Sequence, residues 1–181
     1  MSRLGAAALA LALCLPLSAC ISAAAPELPP QGAPTMTPEG FFIGNTISTG
    51  LLRTLGGSEK KLAVDGRGVR EKDGSFSLQQ TIRWADGDVD RRTWRMRPLG
   101  GGRYEATVEG VRGRAQGWVA GRTFHLKYTL DTGPGVRMRH WMTLEPEGRS
   151  IRNIAVGRVF GVPVARLDET FARPVPAGDL R

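Results

Sequence analysis

The sequence predicts an all-β fold, a single antiparallel barrel of roughly eight to ten strands. Three observations carry this. Apolar residues recur at every second position in one segment after another, Gly-rich turns separate these segments at intervals of about ten residues, and no stretch of the domain carries a helical stripe. A sheet of that many strands buries its apolar faces and removes its edges by curling shut, which favours a closed barrel over an open sheet.

The strands follow in order. Phe76, Leu78, Gln80, Ile82 and Trp84 share one face of a strand, opposite Ser75, Ser77, Gln79, Thr81 and Arg83. The turn Ala85-Asp86-Gly87-Asp88 comes next, its Asp-Gly pair being a strong hairpin signal. Val89 to Met96 then sets Trp94 and Met96 against Arg91, Thr93 and Arg95. After Gly100-Gly101-Gly102, Tyr104, Ala106 and Val108 alternate, and Val119 precedes a turn at Gly121. Phe124, Leu126, Tyr128 and Leu130 form the cleanest alternation. Beyond the turn Gly133-Pro134-Gly135, Met138, His140, Met142 and Leu144 face away from Arg137, Arg139, Trp141 and Thr143. The small side chains of Gly113 to Gly121 read either as room inside a barrel or as a sharply bent strand.

Four segments flank and form the domain: a leader over 1–19, a cysteine and linker over 20–39, the barrel over 40–172 and a tail over 173–181. Met1-Ser2-Arg3 and the apolar run Leu4 to Leu15 have the layout of a secretory signal peptide. The run is shorter than the roughly 20 residues of a membrane span. Leu17-Ser18-Ala19-Cys20 resembles the lipobox of bacterial lipoproteins, which implies cleavage before Cys20 and acylation of that residue with palmitate-type chains. Cys14 leaves with the leader, so no thiol remains for a disulfide or a metal. Ile21 after the cysteine resembles an outer-membrane sorting signal, for a protein facing the periplasm. Ile21 to Pro38 is Pro-rich and reads as an extended tether, reaching up to roughly 55 Å and holding the barrel off the bilayer.

Lys and Arg number 25 against 17 acidic residues, a net charge of +8. Arg dominates, which fits either a GC-rich composition or attraction to anionic headgroups. A place outside the cytoplasm argues against nucleic acid as a partner.

Phe42, Gly44 and Gly50, then Asp86-Gly87 with Arg92 and Trp94, then Gly113, Gly117 and Trp141-Met142 give the chain a wider likeness. Across most of residues 40–172 it resembles DUF3833, a family of bacterial lipoproteins. The resemblance implies an outer-membrane or periplasmic lipoprotein with a lipocalin-like barrel, and it implies no activity or catalytic residue. Acidic residues precede the Trp-Met pair in the family. Here Arg139-His140 stand there, so no role of an acid is carried over.

Catalytic and metal chemistry find little footing. Asp86, Asp88 and Asp90 resemble the start of a calcium loop, but the sixth and twelfth positions counted from Asp86 are Arg91 and Arg97 where such a loop takes Gly and Glu, so the stretch reads as a hairpin turn. His140 shares a face with Met138 and Met142 and reads as a proton shuttle lining the interior or as a satisfied half-buried histidine. No Gly-x-Ser-x-Gly motif offers it a nucleophile, and His125 and His140 alone fall short of a zinc site. Gly66-Arg67-Gly68 and Gly100-Gly101-Gly102 lack the setting of a phosphate loop. No catalytic residue, metal or cofactor is expected.

Arg91, Arg95 and Arg97 line one side of a strand and are candidates for gripping anionic headgroups, or for pairing with Glu105 and Glu109. Trp84, Trp94, Phe124, Leu126, Tyr128, His140 and Trp141 are the candidate ligand contacts if the barrel is hollow. Two functions follow. One is a non-catalytic, membrane-tethered module that binds a lipid, a fatty-acyl chain or another apolar ligand. The other is a structural lipoprotein with a filled barrel that acts through a protein partner.

Overall fold

A computed structural model describes residues 21–26 and 36–174. The leader, Cys14, Cys20 with its lipobox, the middle of the linker and the end of the tail lie outside the described residues. A short helix α1 (Pro38–Phe42) precedes β1 (Gly44–Thr54), β2 (Glu59–Arg70), β3 (Phe76–Trp84), β4 (Val89–Gly100) and β5 (Arg103–Thr107). Then come β6 (Ala115–Ala120), β7 (Thr123–Leu130), β8 (Val136–Leu144), β9 (Ser150–Val159) and β10 (Val162–Ala172). Each strand pairs antiparallel with its sequence neighbours and β1 pairs with β10, so the ring of ten strands closes as an antiparallel barrel.

The alternation read from the sequence sets the faces. Phe76, Leu78, Gln80 and Ile82 of β3 are buried while Gln79 and Arg83 are exposed. At the β3–β4 turn Gly87 sits at φ 97°, and Lys60 of β2 reaches the carboxylates of Asp86 and Asp88. The three aspartates therefore belong to a hairpin crossed by a cation. β1 and β2 carry little apolar rhythm because their inward positions include Thr46, Ser48 and Gly50, and Gly66 and Gly68. β9 hides its rhythm differently. Ile151 and Ala155 are buried inside, and Ile154 and Val156 are buried on the outer face as well.

One end of the barrel is plugged. Met36, Phe41 and Phe42 bring α1 and its approach into a core shared with Phe76, Phe124 and Phe171. Phe42 meets Phe171 edge to face at 5.4 Å, the arrangement aromatic rings favour. Polar contacts fix the plug: Tyr104 Oη donates to Glu39 Oε2 at 2.9 Å, Arg173 Nε to the Phe41 carbonyl at 3.1 Å, and the Met36 N–H to the Gly121 carbonyl at 3.0 Å. Gly68 makes room for it, since a Cβ there would lie inside the contact distance of the Phe42 backbone carbonyl. Toward the other end Leu62, Val64 and Ile82 form a second apolar cluster, with Trp84 and Leu167 against it.

The first residues of the expected tether do not stand away from the barrel. Ala23 packs against Trp141, Ile154 and Val156 on the outer wall, and its carbonyl accepts from Arg158 Nη2 at 3.1 Å. Arg166 Nη1 donates to the Ser22 carbonyl at 3.1 Å. An outward apolar patch on β8 and β9 is covered by this segment, which removes it from water.

Seating of α1 on β2 is tested at Gly68. A methyl group must displace backbone, so Gly68→Ala should lower the unfolding free energy by about 1–3 kcal/mol in urea titration. An unchanged midpoint would show that the helix does not rest there.

Candidate functional site

Between the plug and the second apolar cluster lies a layer of inward polar side chains from five strands. Tyr128 (β7), His140 (β8), Asn153 (β9), Glu169 (β10) and Ser48 (β1) sit on successive strands of the ring and at positions whose side chains point inward. They form one connected chain. Tyr128 Oη lies 3.0 Å from His140 Nε2, His140 Nδ1 3.2 Å from Asn153 Oδ1, and Asn153 Nδ2 donates to Glu169 Oε2 at 3.0 Å. Ser48 Oγ donates to Glu169 Oε1 at 2.6 Å.

The chain fixes its own protons. Asn153 presents its amide nitrogen to Glu169, so its oxygen faces His140 and Nδ1 must carry the hydrogen. Nε2 is then the acceptor for the tyrosine hydroxyl, the pattern of a neutral imidazole. Burial agrees with this. It pulls the His140 pKa down to about 4, helped by the positive charge of Arg92 and partly opposed by the bond to Asn153. Burial also raises the Glu169 pKa, against the opposing bonds from Ser48 and Asn153. The Tyr128 phenol is likewise pushed up by burial. A buried polar layer is tolerated when every member has its partner, and these members do.

Arg92 stands beside this layer. It shares the inward face of β4 with Trp94, lies opposite Gln80 of β3, and donates from Nε to Gln80 Oε1 at 2.9 Å. Its guanidinium carbon is 5.9 Å from the centroid of the Trp94 ring. Although it faces inward, Arg92 is exposed, and it makes no ion pair with a described carboxylate. The wall explains the exposure. β4 pairs with β5 only from Arg95 onward, so Val89 to Thr93 has no ladder on that side. The edge of β7 is instead met by the 108–114 segment, where Val111 bridges to Leu130.

Of the candidate ligand contacts, Trp94, Phe124, Leu126, Tyr128 and His140 face the interior. Phe124 and Leu126 belong to the filled, plugged half, while Trp94, Tyr128 and His140 line the polar layer, with Trp94 and Tyr128 edge to face at 5.4 Å. Trp84 is half-buried beyond the second cluster, under the Lys60 ammonium at 4.8 Å, and donates Nε1–H to Asp90 at 2.7 Å. Trp141 does not join them. It points outward, as its place opposite His140 in the alternation requires, and is covered by Ala23 and by Arg139 at 4.8 Å. Arg91, Arg95 and Arg97 are exposed on the outer face. Arg97 pairs with Glu105 at 3.0 Å, whereas Arg91 lines a depression of about 790 Å³ with Asp65, Arg67 and Glu109, which Gln80 and Arg92 also line.

Ser48, Asn153 and Glu169 escaped the sequence reading, and Arg92 entered it only through the family likeness. A signal existed for Glu169, since it continues the inward series Ala165, Leu167, Phe171 of β10, where a carboxylate on an apolar face must be buried and partnered.

The family described as "Protein of unknown function (DUF3833)" matches residues 14–173. Among solved structures, the S-type phycobiliprotein lyase CPES from Guillardia theta is similar in fold, with a TM-score of 0.60 at 9% identity over 78% of this chain and 94% of that one. The barrel is thus lipocalin-like, as the lyase is. A comparison with curated proteins yields no match.

The neutral histidine gives a pH signature. A folded-state pKa near 4 against an ordinary 6.5 means the unfolded chain binds the proton more readily, so this contribution to stability is full above about pH 6.5 and is lost as the pH falls toward 4. Glu169 works in the opposite sense from its ordinary 4.5 upward, so the parent curve alone mixes the two. The difference between parent and His140→Gln isolates the histidine. It should change by at most about 1.4 kcal/mol per pH unit between pH 6.5 and 4, and parallel curves would mean that His140 is protonated in the fold.

Proposed function

The chain belongs to the DUF3833 family, and from that premise we propose a lipid-anchored lipoprotein of the bacterial envelope whose barrel binds an amphipathic ligand, a fatty-acyl chain or a lipid, without chemistry on it. The observation that carries this is Arg92, a cation that faces the interior, meets solvent and has no described carboxylate against it. An anionic head group there gains charge-assisted hydrogen bonds, with the Gln80 amide alongside. Leu62, Val64, Ile82, Trp84 and Leu167 offer apolar wall for a chain. The fold supports the reading as a class, because lipocalin-like barrels of this size have interiors able to hold a small ligand. Acyl chains on Cys20 attach the protein to the membrane, and Ile21 fits the outer membrane with the barrel in the periplasm.

The tight packing of Phe124 and Leu126, 0% and 2% exposed, favours a second reading in which the barrel is filled and acts by contact with another envelope protein. Ligand binding separates the two. Native mass spectrometry of the purified chain should show a co-purifying amphiphile, and Arg92→Gln should weaken binding of a fluorescent fatty acid by about tenfold or more. No bound lipid and no fatty-acid binding by the parent would leave the filled barrel.

Anchoring has its own test. Cys20→Ala should lack the acyl mass and leave the membrane fraction while keeping the strand-rich circular dichroism of the parent. Attachment and mass unchanged by the substitution would remove the lipoprotein reading.

A further inference from the structure

Exposed apolar side chains gather at the end of the barrel opposite the plug. The β9–β10 hairpin turns on Phe160 and Gly161, with Val159 paired to Val162. Phe160 is 90% exposed and Val162 55%, and on the hairpin that follows around the ring, between β1 and β2, Leu55 is 59% exposed. The two hairpins are joined, for the Leu55 N–H donates to the Val164 carbonyl of β10 at 2.8 Å. Phe160 is also the one described non-glycine residue at positive φ, 49°, followed by Gly161 at 87°. A two-residue turn with both φ values positive favours Asn, Asp or Gly at its first place. This turn instead holds an aromatic ring in strained backbone and in water, a combination with nothing in the fold to account for it.

Cations flank that tip. A groove of about 390 Å³ beside it, reaching Gly161, is lined by Arg112, Arg114, Lys127, Arg137, Arg139 and Arg158. Arg112 pairs with Asp131 and Arg114 with Glu105. Lys127, Arg137, Arg139 and Arg158 make no ion pair among the described residues. Arg137 stands directly across from Arg158, and Lys127 from Arg139. Like charges opposed on neighbouring strands repel, and anions from outside relieve them.

The chain itself comes to this end. Ile21, the first described residue, shares a depression with Arg53, Thr54 and Gly57 of the β1–β2 hairpin and with Arg166 of β10. Ile21 thus lies against the β1–β2 hairpin that carries Leu55, not at the end of a long spacer.

We propose that the rim of Leu55, Phe160 and Val162, with the groove of Lys127, Arg137, Arg139 and Arg158, is a membrane-docking surface that seats this end of the barrel on anionic phospholipid. The apolar tips enter the interfacial region and the guanidinium groups meet lipid phosphates, the division of labour of interfacial binding elsewhere. The Arg91, Arg95 and Arg97 face lies across the ring on β4, away from this contact. The surface depends neither on a ligand in the barrel nor on the acyl anchor.

The full chain is reconstituted on phosphatidylglycerol vesicles containing brominated lipids, with Phe160→Trp as reporter and Leu99→Trp, exposed near the plugged end, as its counterpart. Difference emission against the parent should show Trp at 160 shifted to the blue and quenched by the bromolipids, with Trp at 99 unaffected. In phosphatidylcholine vesicles the quenching at 160 should fall. Equal quenching in the two lipids overturns the anionic assignment. A chain that sediments with vesicles while Trp at 160 stays open to aqueous iodide overturns the surface and leaves the acyl anchor, whose presence the mass of the same sample reports. A chain that carries no acyl mass yet is quenched at 160 supports the surface and removes the anchor. No sedimentation overturns both.

Discussion

Ring closure over ten strands sets the problem that the rest of the molecule solves. A barrel of this number encloses more space than one of eight, and that space must be packed, wetted or lent to a guest. The chain divides it by level. Aromatic side chains and a five-residue helix fill one end, a hydrogen-bonded polar layer crosses the middle, and an aliphatic cluster packs toward the other end. The helix is unusual in being too short to hold itself together, since isolated helices of even about twelve residues are marginal. It persists because Phe41 and Phe42 are buried and because Tyr104 and Arg173 bind its polar groups.

The polar layer follows from the same constraint. Small inward residues such as Gly50 and Gly66 leave space, and side chains with hydrogen-bonding capacity occupy it. Inside, an unpartnered polar atom loses about 1–3 kcal/mol, so such a layer must be complete or absent. Its members are complete among themselves, and the charge that stands apart is Arg92, whose solvation is preserved by the lapse in the β4–β5 ladder. The wall defect and the inward cation are thus one feature. A fully laddered wall at this level would bury the guanidinium without a counter-ion, which is strongly unfavourable.

How far the fold could be read in advance depended on what each strand buries. β3, β7 and β8 declare themselves because one face of each is nearly all apolar. β1 and β2 do not, since Thr46, Ser48, Gly66 and Gly68 occupy inward positions where the pattern needs apolar residues. β9 is blurred for the opposite reason, both of its faces being covered. The site shows the same split. Tyr128 and His140 were visible from the alternation they share with Leu126 and Met142, but their partners Asn153, Glu169 and Ser48 come from the strands whose period was hidden. Trp141 fits a ligand wall by its chemistry and not by its parity: it stands on the outer face, where the segment around Ala23 covers it.

The pairing of β1 with β10 has a consequence in time. These strands are joined along eight residue pairs from Ile47–Ala172 to Thr54–Ala165, and Ser48 and Glu169 are 121 positions apart in the chain. Contacts between such distant residues form late, because the loop between them must be closed before any gain is realised. A chain that emerges from its N-terminus keeps the free edge of β1 unpaired until the last strand is out, and an unpaired edge is a template for association. The inward face of β1 is poorly suited to that hazard, with Thr46, Ser48 and Gly50 where a sticky edge would carry Val or Ile. The polar character that hides this strand from sequence patterns is also what lets it wait.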